Sequence, residues 1–182
     1  MGYNFTDEIR HTLQQAREEA ATLRHGELAP EHLLLGIVRQ PGSTCSALFR
    51  ELGADPETLY RQTASVTTSP EEPESTGPDL PYTPSAKKAI ELAMSEARSL
   101  NHDYVGVEHL VLGLLREGSS PAATVLAGTG LTLSAAREAL RRLAPPSQRQ
   151  ALNRTARRAL LIALVALAIA IVALLLALRT PR

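Results

Sequence analysis

Tryptophan is absent from the 182 residues, cysteine occurs once, and aromatic residues make up only 3% of the chain. Because Cys45 is alone, an internal disulfide is excluded and nothing in the sequence requires an oxidising compartment. The first eight residues hold neither an apolar run nor a basic segment, so we expect no secretory signal peptide. A G-x-x-x-x-G-K-[ST] phosphate loop is also missing, which excludes this class of nucleotide site.

Acidic residues are missing after Pro145, although the whole chain is neutral. The part before Pro145 holds 13 Lys/Arg and 19 Asp/Glu, a net charge of about −6. Such an acidic part is unsuited to nucleic acid, whose phosphates require Lys and Arg. We therefore expect no nucleic-acid partner.

An uninterrupted run of Ala, Leu, Ile and Val extends from Ala159 to Leu178. As a helix it would be about 30 Å long, the thickness of the hydrocarbon core of a bilayer, which predicts one transmembrane helix. Arginines are more frequent before the run, at Arg154, Arg157 and Arg158 among others, than after it. This bias predicts a single-pass protein of the cell membrane with its N-terminal head in the cytoplasm. Alanines recur along the run with a period of about 3.5 residues, which either supports homo-oligomerisation or merely fills an adequate span.

The part before the run contains an internal repeat. The sequence EHLLLG at Glu31–Gly36 returns as EHLVLG at Glu108–Gly113, an offset of 77 residues. At the same offset, and without gaps, Thr6 matches Thr83 and many apolar positions agree. A repeat of this length indicates a duplicated structural unit.

Each copy is predicted to form four short helices. In the first copy, the first helix runs from the N-cap Thr6 to His25, the second starts near Pro30, the third covers about 44–52 and the fourth follows Asp55. In the second copy, the first helix runs from the N-cap Thr83 to His102, the second starts near Val107, the third covers about 122–127 and the fourth covers 133–143. No stretch alternates apolar and polar residues long enough to predict a strand. We expect an all-α fold of about eight helices with pseudo-twofold symmetry, followed by the transmembrane helix.

The expected organisation has six segments. They are the first repeat (1–64), a linker rich in Pro, Glu, Ser and Thr (65–81), the second repeat (82–144), a basic juxtamembrane linker (145–158), the transmembrane helix (159–178) and a short translocated tail (179–182).

Both copies resemble the two halves of the Clp ATPase amino-terminal domain, most closely the ClpC type. The segments that carry this resemblance are FTDEIRHTLQQAREEAATLRHGELAPEHLLLGIVR and YTPSAKKAIELAMSEARSLNHDYVGVEHLVLGLLREG. Clp unfoldases add ATPase modules, and this chain shows none, so the resemblance implies a stand-alone binding domain and not an unfoldase. The implied partners are protein clients or adaptors, with a Clp ATPase system as a possible further partner.

The resemblance also implies a binding site, because ClpC-type domains recognise phosphoarginine in proteins marked for degradation. The family's binding residues fall on Thr6 with Glu31 and on Thr83 with Glu108. Helix N-termini with a Thr hydroxyl suit a phosphoryl group, and a carboxylate suits the guanidinium. These residues are equally suited to capping helices and favouring their dipoles, without any ligand.

Both copies depart from the G-T-E-H motif that is usual in the family. It is replaced by Ala29-Pro30-Glu31-His32 in the first copy and by Gly106-Val107-Glu108-His109 in the second. The Thr hydroxyls that are lost are either capping groups or part of the site.

For the other candidate residues, a structural role is favoured over a catalytic or metal-binding role. His32 and His109 lie among leucines and are predicted to be buried, because their spacing supplies no set of metal ligands. Cys45 has no catalytic motif around it. We therefore expect no enzyme, no cofactor and no metal.

Two functions remain open from the sequence. One is a membrane-tethered module that binds clients, adaptors or phosphoarginine-marked proteins of a Clp-type proteolysis system. The other is a structural or regulatory membrane protein that has lost the pocket and oligomerises through its alanine-striped anchor.

Overall fold

The computed structural model describes residues 4–40, 42–67 and 80–143, which belong to one compact unit. Within these ranges the chain forms eight helices and two short strands. In chain order they are β1 (Asn4–Phe5), α1 (Asp7–Thr22), α2 (Pro30–Val38), α3 (Thr44–Glu51), α4 (Pro56–Val66), α5 (Pro84–Ser99), β2 (Tyr104–Val105), α6 (Val107–Glu117), α7 (Pro121–Gly128) and α8 (Leu133–Leu143).

The predicted eight helices are confirmed, four in each copy, but the first helix of each copy is shorter than expected. α1 stops at Thr22 and α5 at Ser99, three residues before the predicted histidines. Arg24 and Asn101 both adopt a left-handed conformation with φ of 57°. The chain there folds back into a hydrogen-bonded helix end, which sequence periodicity does not reveal.

The two short strands were not predicted from the sequence. β1 pairs in parallel with β2, so that Phe5 lies opposite Val105. An isolated parallel bridge joins Leu28 to Tyr82, and these are the repeat equivalents of Val105 and Phe5. Each copy therefore extends its N-terminal arm onto the loop before the second helix of the other copy, which explains the pseudo-twofold arrangement.

Each of the repeated EHL-x-LG sequences ends on a glycine that permits close helix packing. A Cβ built on Gly36 would lie 2.6 Å from the carbonyl oxygen of Thr12 in α1. A Cβ on Gly113 would clash with the carbonyl oxygen of Ala89 in α5. α2 therefore packs directly on the backbone of α1, and α6 on that of α5. The apolar faces of both copies contribute to one continuous core.

Among the described residues, no helix combines the length and the apolar character needed to cross a membrane. The predicted transmembrane helix at 159–178, its flanking arginines and the tail lie outside the described residues. Most of the linker at 65–81 lies outside them as well.

Candidate functional site

The helix starts of the two copies meet crosswise at two related places. The backbone N–H of Thr6 donates to the carbonyl of Val105, 3.1 Å away, just before the start of α6. The backbone N–H of Thr83 donates to the carbonyl of Leu28, 3.0 Å away, just before the start of α2. The start of α1 thus adjoins that of α6, and the start of α5 adjoins that of α2.

A third helix start joins each pair. Glu31, near the start of α2, accepts a hydrogen bond at Oε1 from the backbone N–H of Ala122 in α7, at 3.1 Å. Glu8, near the start of α1, accepts one at Oε1 from the backbone N–H of Thr44 in α3, also at 3.1 Å. Each place therefore gathers three helix N-termini, whose dipoles favour a negative charge.

We name these places by their buried glutamates. The Glu31 site consists of Thr83, Glu31 and Ala122, together with Ser85, which follows Thr83 in α5 and is the repeat equivalent of Glu8. The Glu108 site consists of Thr6, Glu8, Glu108, Thr44 and Cys45.

The residues predicted to bind together are grouped differently in the structure. The family resemblance implied Thr6 with Glu31 and Thr83 with Glu108. α1 and α2 form an antiparallel hairpin, in which Gln40 after α2 donates from its amide to the hydroxyl of Thr12, 2.9 Å away. Thr6 and Glu31 therefore lie at opposite ends of the hairpin, and the crossed arms bring Thr6 to the Glu108 segment instead.

Both threonines cap their helices. The Thr6 hydroxyl accepts from the N–H of Ile9 at 3.3 Å, and the Thr83 hydroxyl accepts from the N–H of Ala86 at 3.2 Å. The predicted capping role is therefore confirmed.

The glutamates of the two sites differ in their surroundings, although both are buried, with 7% of Glu31 and 5% of Glu108 exposed. Glu31 is hydrogen-bonded to the N-terminus of α7, as described above. Burial raises the pKa of Glu108 above its usual range, and the negative charge of Glu8 raises it further. The Glu108 site therefore holds two carboxylates that repel each other.

Cys45 in the Glu108 site is completely buried. Burial raises the pKa of its thiol well above the usual value, and the charges of Glu108 and Glu8 add to this shift. Such a thiol is unsuited to nucleophilic catalysis, because the thiolate is the reactive form.

The two predicted buried histidines, His32 and His109, cap their own helices. His32 accepts a hydrogen bond at Nδ1 from the N–H of Ala29, and His109 accepts one at Nδ1 from the N–H of Gly106, both at 2.9 Å. Neutral imidazole then carries its proton on Nε2. In the second copy His109 Nε2 lies 2.8 Å from Nδ1 of His102, which completes its hydrogen bonds.

One group among the described residues has the composition of a metal site. One ligand atom each from His102, Glu108 and His109 lie within 4.8 Å of one another. The spacing did not suggest this group, because the end of α5 brings His102 to the start of α6. A metal on either nitrogen of His109 would have to break one of the hydrogen bonds just described, so the donor set fits a histidine pair better than a metal centre.

A larger groove of about 940 Å³ lies between α2, α3 and α4 of the first copy. Its polar lining includes Arg39, Arg50 and Asp55, with Tyr60 at its side. The groove adjoins the Glu108 site, because Gln40 and Gly42 line both the groove and a smaller pocket beside Glu8 and Thr44.

Residues 4–129 match the sequence pattern of the Clp repeat (R) N-terminal domain family, which is more than half of the chain. The chain belongs to this family. The fold agrees with solved structures of the family, which show likeness of fold alone because their identities are low. The N-terminal domain of ClpD from Arabidopsis thaliana has a TM-score of 0.58 and 24% identity, covering 77% of this chain and 94% of that one. The Hsp104 N-terminal domain from Candida albicans has a TM-score of 0.58 and 17% identity, covering 75% and 88%.

Curated relatives of the family are much longer than this chain. The negative regulator of genetic competence ClpC/MecB of Bacillus subtilis (strain 168) is 42% identical over 134 residues, which cover 74% of this chain and 16% of that protein. Chaperone protein ClpB of Oceanobacillus iheyensis is 36% identical over 147 residues, which cover 81% and 18%. The chain therefore spans less than a fifth of the length of these relatives.

Sequence reasoning missed Glu8, which the structure places in the Glu108 site. The repeat offered a signal, because the position equivalent to Glu8 in the second copy is Ser85 and the two differ in charge. The difference in charge matters because the structure places the start of α1 beside the start of α3.

Proposed function

We propose that the chain is a non-catalytic protein-binding module, tethered to a membrane, that recognises clients, adaptors or phosphoarginine-marked proteins of a Clp-type proteolysis system. The observation that carries this proposal is the meeting of three helix N-termini around a buried glutamate, which occurs in each of the two crossed sites.

The chemistry of phosphoarginine suits this arrangement. Its phosphoryl group is an anion and is favoured at helix N-termini, where backbone N–H groups and the dipoles face it. Its guanidinium is a planar donor that pairs with a carboxylate. A site that offers both demands the modified side chain, because unmodified arginine lacks the phosphoryl group and other phosphorylated residues lack the guanidinium.

The relatives support a role in proteolysis. The proteins of Staphylococcus epidermidis and Staphylococcus aureus that match this chain are described as ATP-binding subunits ClpC of the ATP-dependent Clp protease. In this proposal the chain shares their client recognition, which fits the matched N-terminal region.

The tether rests on residues 159–178 and their flanking arginines. A run of about 20 apolar residues suffices to cross a bilayer. The arginine bias places the head, and so both sites, on the cytoplasmic face of the cell membrane.

Titration calorimetry of the full-length chain in mild detergent with free phosphoarginine tests the binding proposal. We expect saturable binding that is lost in the Glu31→Gln/Glu108→Gln double variant. Glutamine at position 31 still accepts from the Ala122 N–H but lacks the charge that pairs with a guanidinium. Free arginine and free phosphate should bind at least tenfold more weakly.

The matched control is Glu27→Ala/Asp103→Ala, which removes two exposed acids from the segments leading to α2 and α6. This control should bind as the unchanged chain does. Absence of binding by a folded chain, or equal loss in the control, would contradict phosphoarginine recognition at these sites.

A further inference from the structure

The two crossed sites differ in charge at one pair of equivalent positions. Glu8 and Ser85 are equivalent in the repeat and lie near the starts of α1 and α5. Glu8 is half-buried and lines a small pocket of about 290 Å³ together with Thr44. Ser85 brings no charge to the Glu31 site.

Glu8 occupies the helix start that an incoming anion would need. Its Oε1 accepts from the backbone N–H of Thr44 at 3.1 Å, and its Oε2 lies 3.5 Å from the Thr44 hydroxyl. The start of α3 is therefore already neutralised by a carboxylate of α1. The buried Glu108 adds a second negative charge close by.

In the Glu31 site, α7 takes the place of α3, and the carboxylate at its start does not come from the helix that carries Ser85. There it is Glu31, the residue that is proposed to hold the guanidinium, and it comes from α2. Among the described residues of the Glu31 site, Thr83, Ser85 and Ala122 are uncharged, so that Glu31 is the one carboxylate there. Counted over the part of the chain that the structure describes, the Glu31 site has one carboxylate for the guanidinium, whereas the Glu108 site has two, Glu8 and Glu108.

We infer that phosphoarginine binds only at the Glu31 site, and that Glu8 closes the Glu108 site by holding its own carboxylate on the N-terminus of α3. This inference rests on the proposed function and makes Glu8 a specificity-determining residue. A phosphoryl dianion entering the Glu108 site would meet Glu8 at short range in a partly buried place, where charge repulsion is screened less than in water.

The stoichiometry of phosphoarginine binding to the full-length chain in detergent tests the inference. The unchanged chain should bind one equivalent, with binding abolished by Glu31→Gln and unaffected by Glu108→Gln. Glu8→Ser copies the second site and should raise the stoichiometry to two. Ser85→Glu adds a second carboxylate to the Glu31 site, where Pro121 offers no backbone N–H to hold it, and should abolish binding.

The exchange variant Glu8→Ser/Ser85→Glu separates this effect from damage to the fold. It should bind one equivalent again, and its binding should now be lost with Glu108→Gln and retained with Glu31→Gln. Asp7→Ser is the matched control, because Asp7 is exposed and pairs with Arg10. It should leave the stoichiometry at one.

Two results would overturn the inference while leaving the proposed function intact. They are two equivalents bound by the unchanged chain, and one equivalent bound by a folded Glu8→Ser variant. Absence of binding in both the unchanged chain and Glu8→Ser would overturn the proposed function itself, and the inference with it.

Discussion

At the scale of single residues, the two buried histidines of the repeat make the stability of the folded head depend on pH. Burial lowers the pKa of both His32 and His109 to about 4, and the neighbouring His25 or His102 contributes to the lowering. Both rings accept a backbone N–H at Nδ1, so protonation would break a helix cap as well as charge the interior. The histidine of each E-H pair thus caps its own helix.

We expect the folded head to lose stability as the pH falls from about 6.5 to about 4. Unfolded histidine titrates near 6.5, so in this window the unfolded chain binds protons that the folded chain does not. Each histidine should contribute a loss of about 3 kcal/mol. The measurement is the free energy of unfolding between pH 7 and pH 4.5.

The variant His32→Gln/His109→Gln keeps a side-chain acceptor for each N-cap but does not titrate. Its stability should depend less on pH than that of the unchanged chain. His11→Gln is the control, because His11 is exposed. An unchanged slope in the double variant would show that other groups cause the pH dependence.

At the scale of elements, the glycines of the repeated motif set how closely the paired helices approach. Gly113 and Gly36 each face the backbone of a neighbouring helix at a distance that admits no Cβ. This close packing fixes the hairpins of α1 with α2 and of α5 with α6. It therefore also fixes where the starts of α2 and α6, with their glutamates, meet the arms of the other copy.

Replacing Gly113 by Ala should destabilise the head by about 2 kcal/mol or more, despite the higher helix propensity of alanine. The added methyl would clash with the carbonyl of Ala89 and lie 2.8 Å from the backbone nitrogen of Ala93. Chemical denaturation gives the free energy of unfolding.

Gly128→Ala is the matched control for this change. Gly128 also lies in a helix, but a Cβ built there has no neighbour within 4 Å. This substitution should be neutral or should stabilise by up to about 1 kcal/mol. Equal effects of the two substitutions would contradict the packing role of Gly113.

At the scale of the whole molecule, the exchange of arms between the copies builds both candidate sites across the duplication. Neither copy builds a site from its own residues. The Glu31 site takes Thr83 and Ala122 from the second copy, and the Glu108 site takes Thr6 and Thr44 from the first. A difference at one pair of equivalent positions, such as Glu8 and Ser85, therefore changes the charge of one site only.

The proposed tether predicts that the full-length chain stays in the membrane fraction after extraction with alkaline carbonate. A chain that ends at residue 147 should be released, because it lacks the apolar run. Protease added to intact cells should leave the head uncut if the arginine bias sets the orientation.

Replacing Arg154, Arg157 and Arg158 together by Gln should weaken this orientation, whereas replacing Arg141 and Arg142 of α8 should matter less. Release of the full-length chain by carbonate would contradict the tether. Digestion of the head from outside the cell would contradict the orientation.

The sequence by itself determined the duplication, the eight helices and the N-caps Thr6, Thr83 and Asp55, because these depend on local patterns. Thr6, Thr83 and the glycines after α3 and α7 are local signals of this kind, and the φ values of 71° at Gly53 and 83° at Gly130 agree with them. Family membership likewise followed from the residues of the two copies.

The tertiary structure decided which helix starts meet. The grouping of Thr6 with Glu108, the role of Glu8 and the contact of His102 with His109 all depend on the crossed arms and on the antiparallel hairpins. Local periodicity contains no information on such contacts, because residues of the same copy lie far apart while residues of different copies adjoin. The two-residue strands that make the crossing are also too short to leave an alternating pattern.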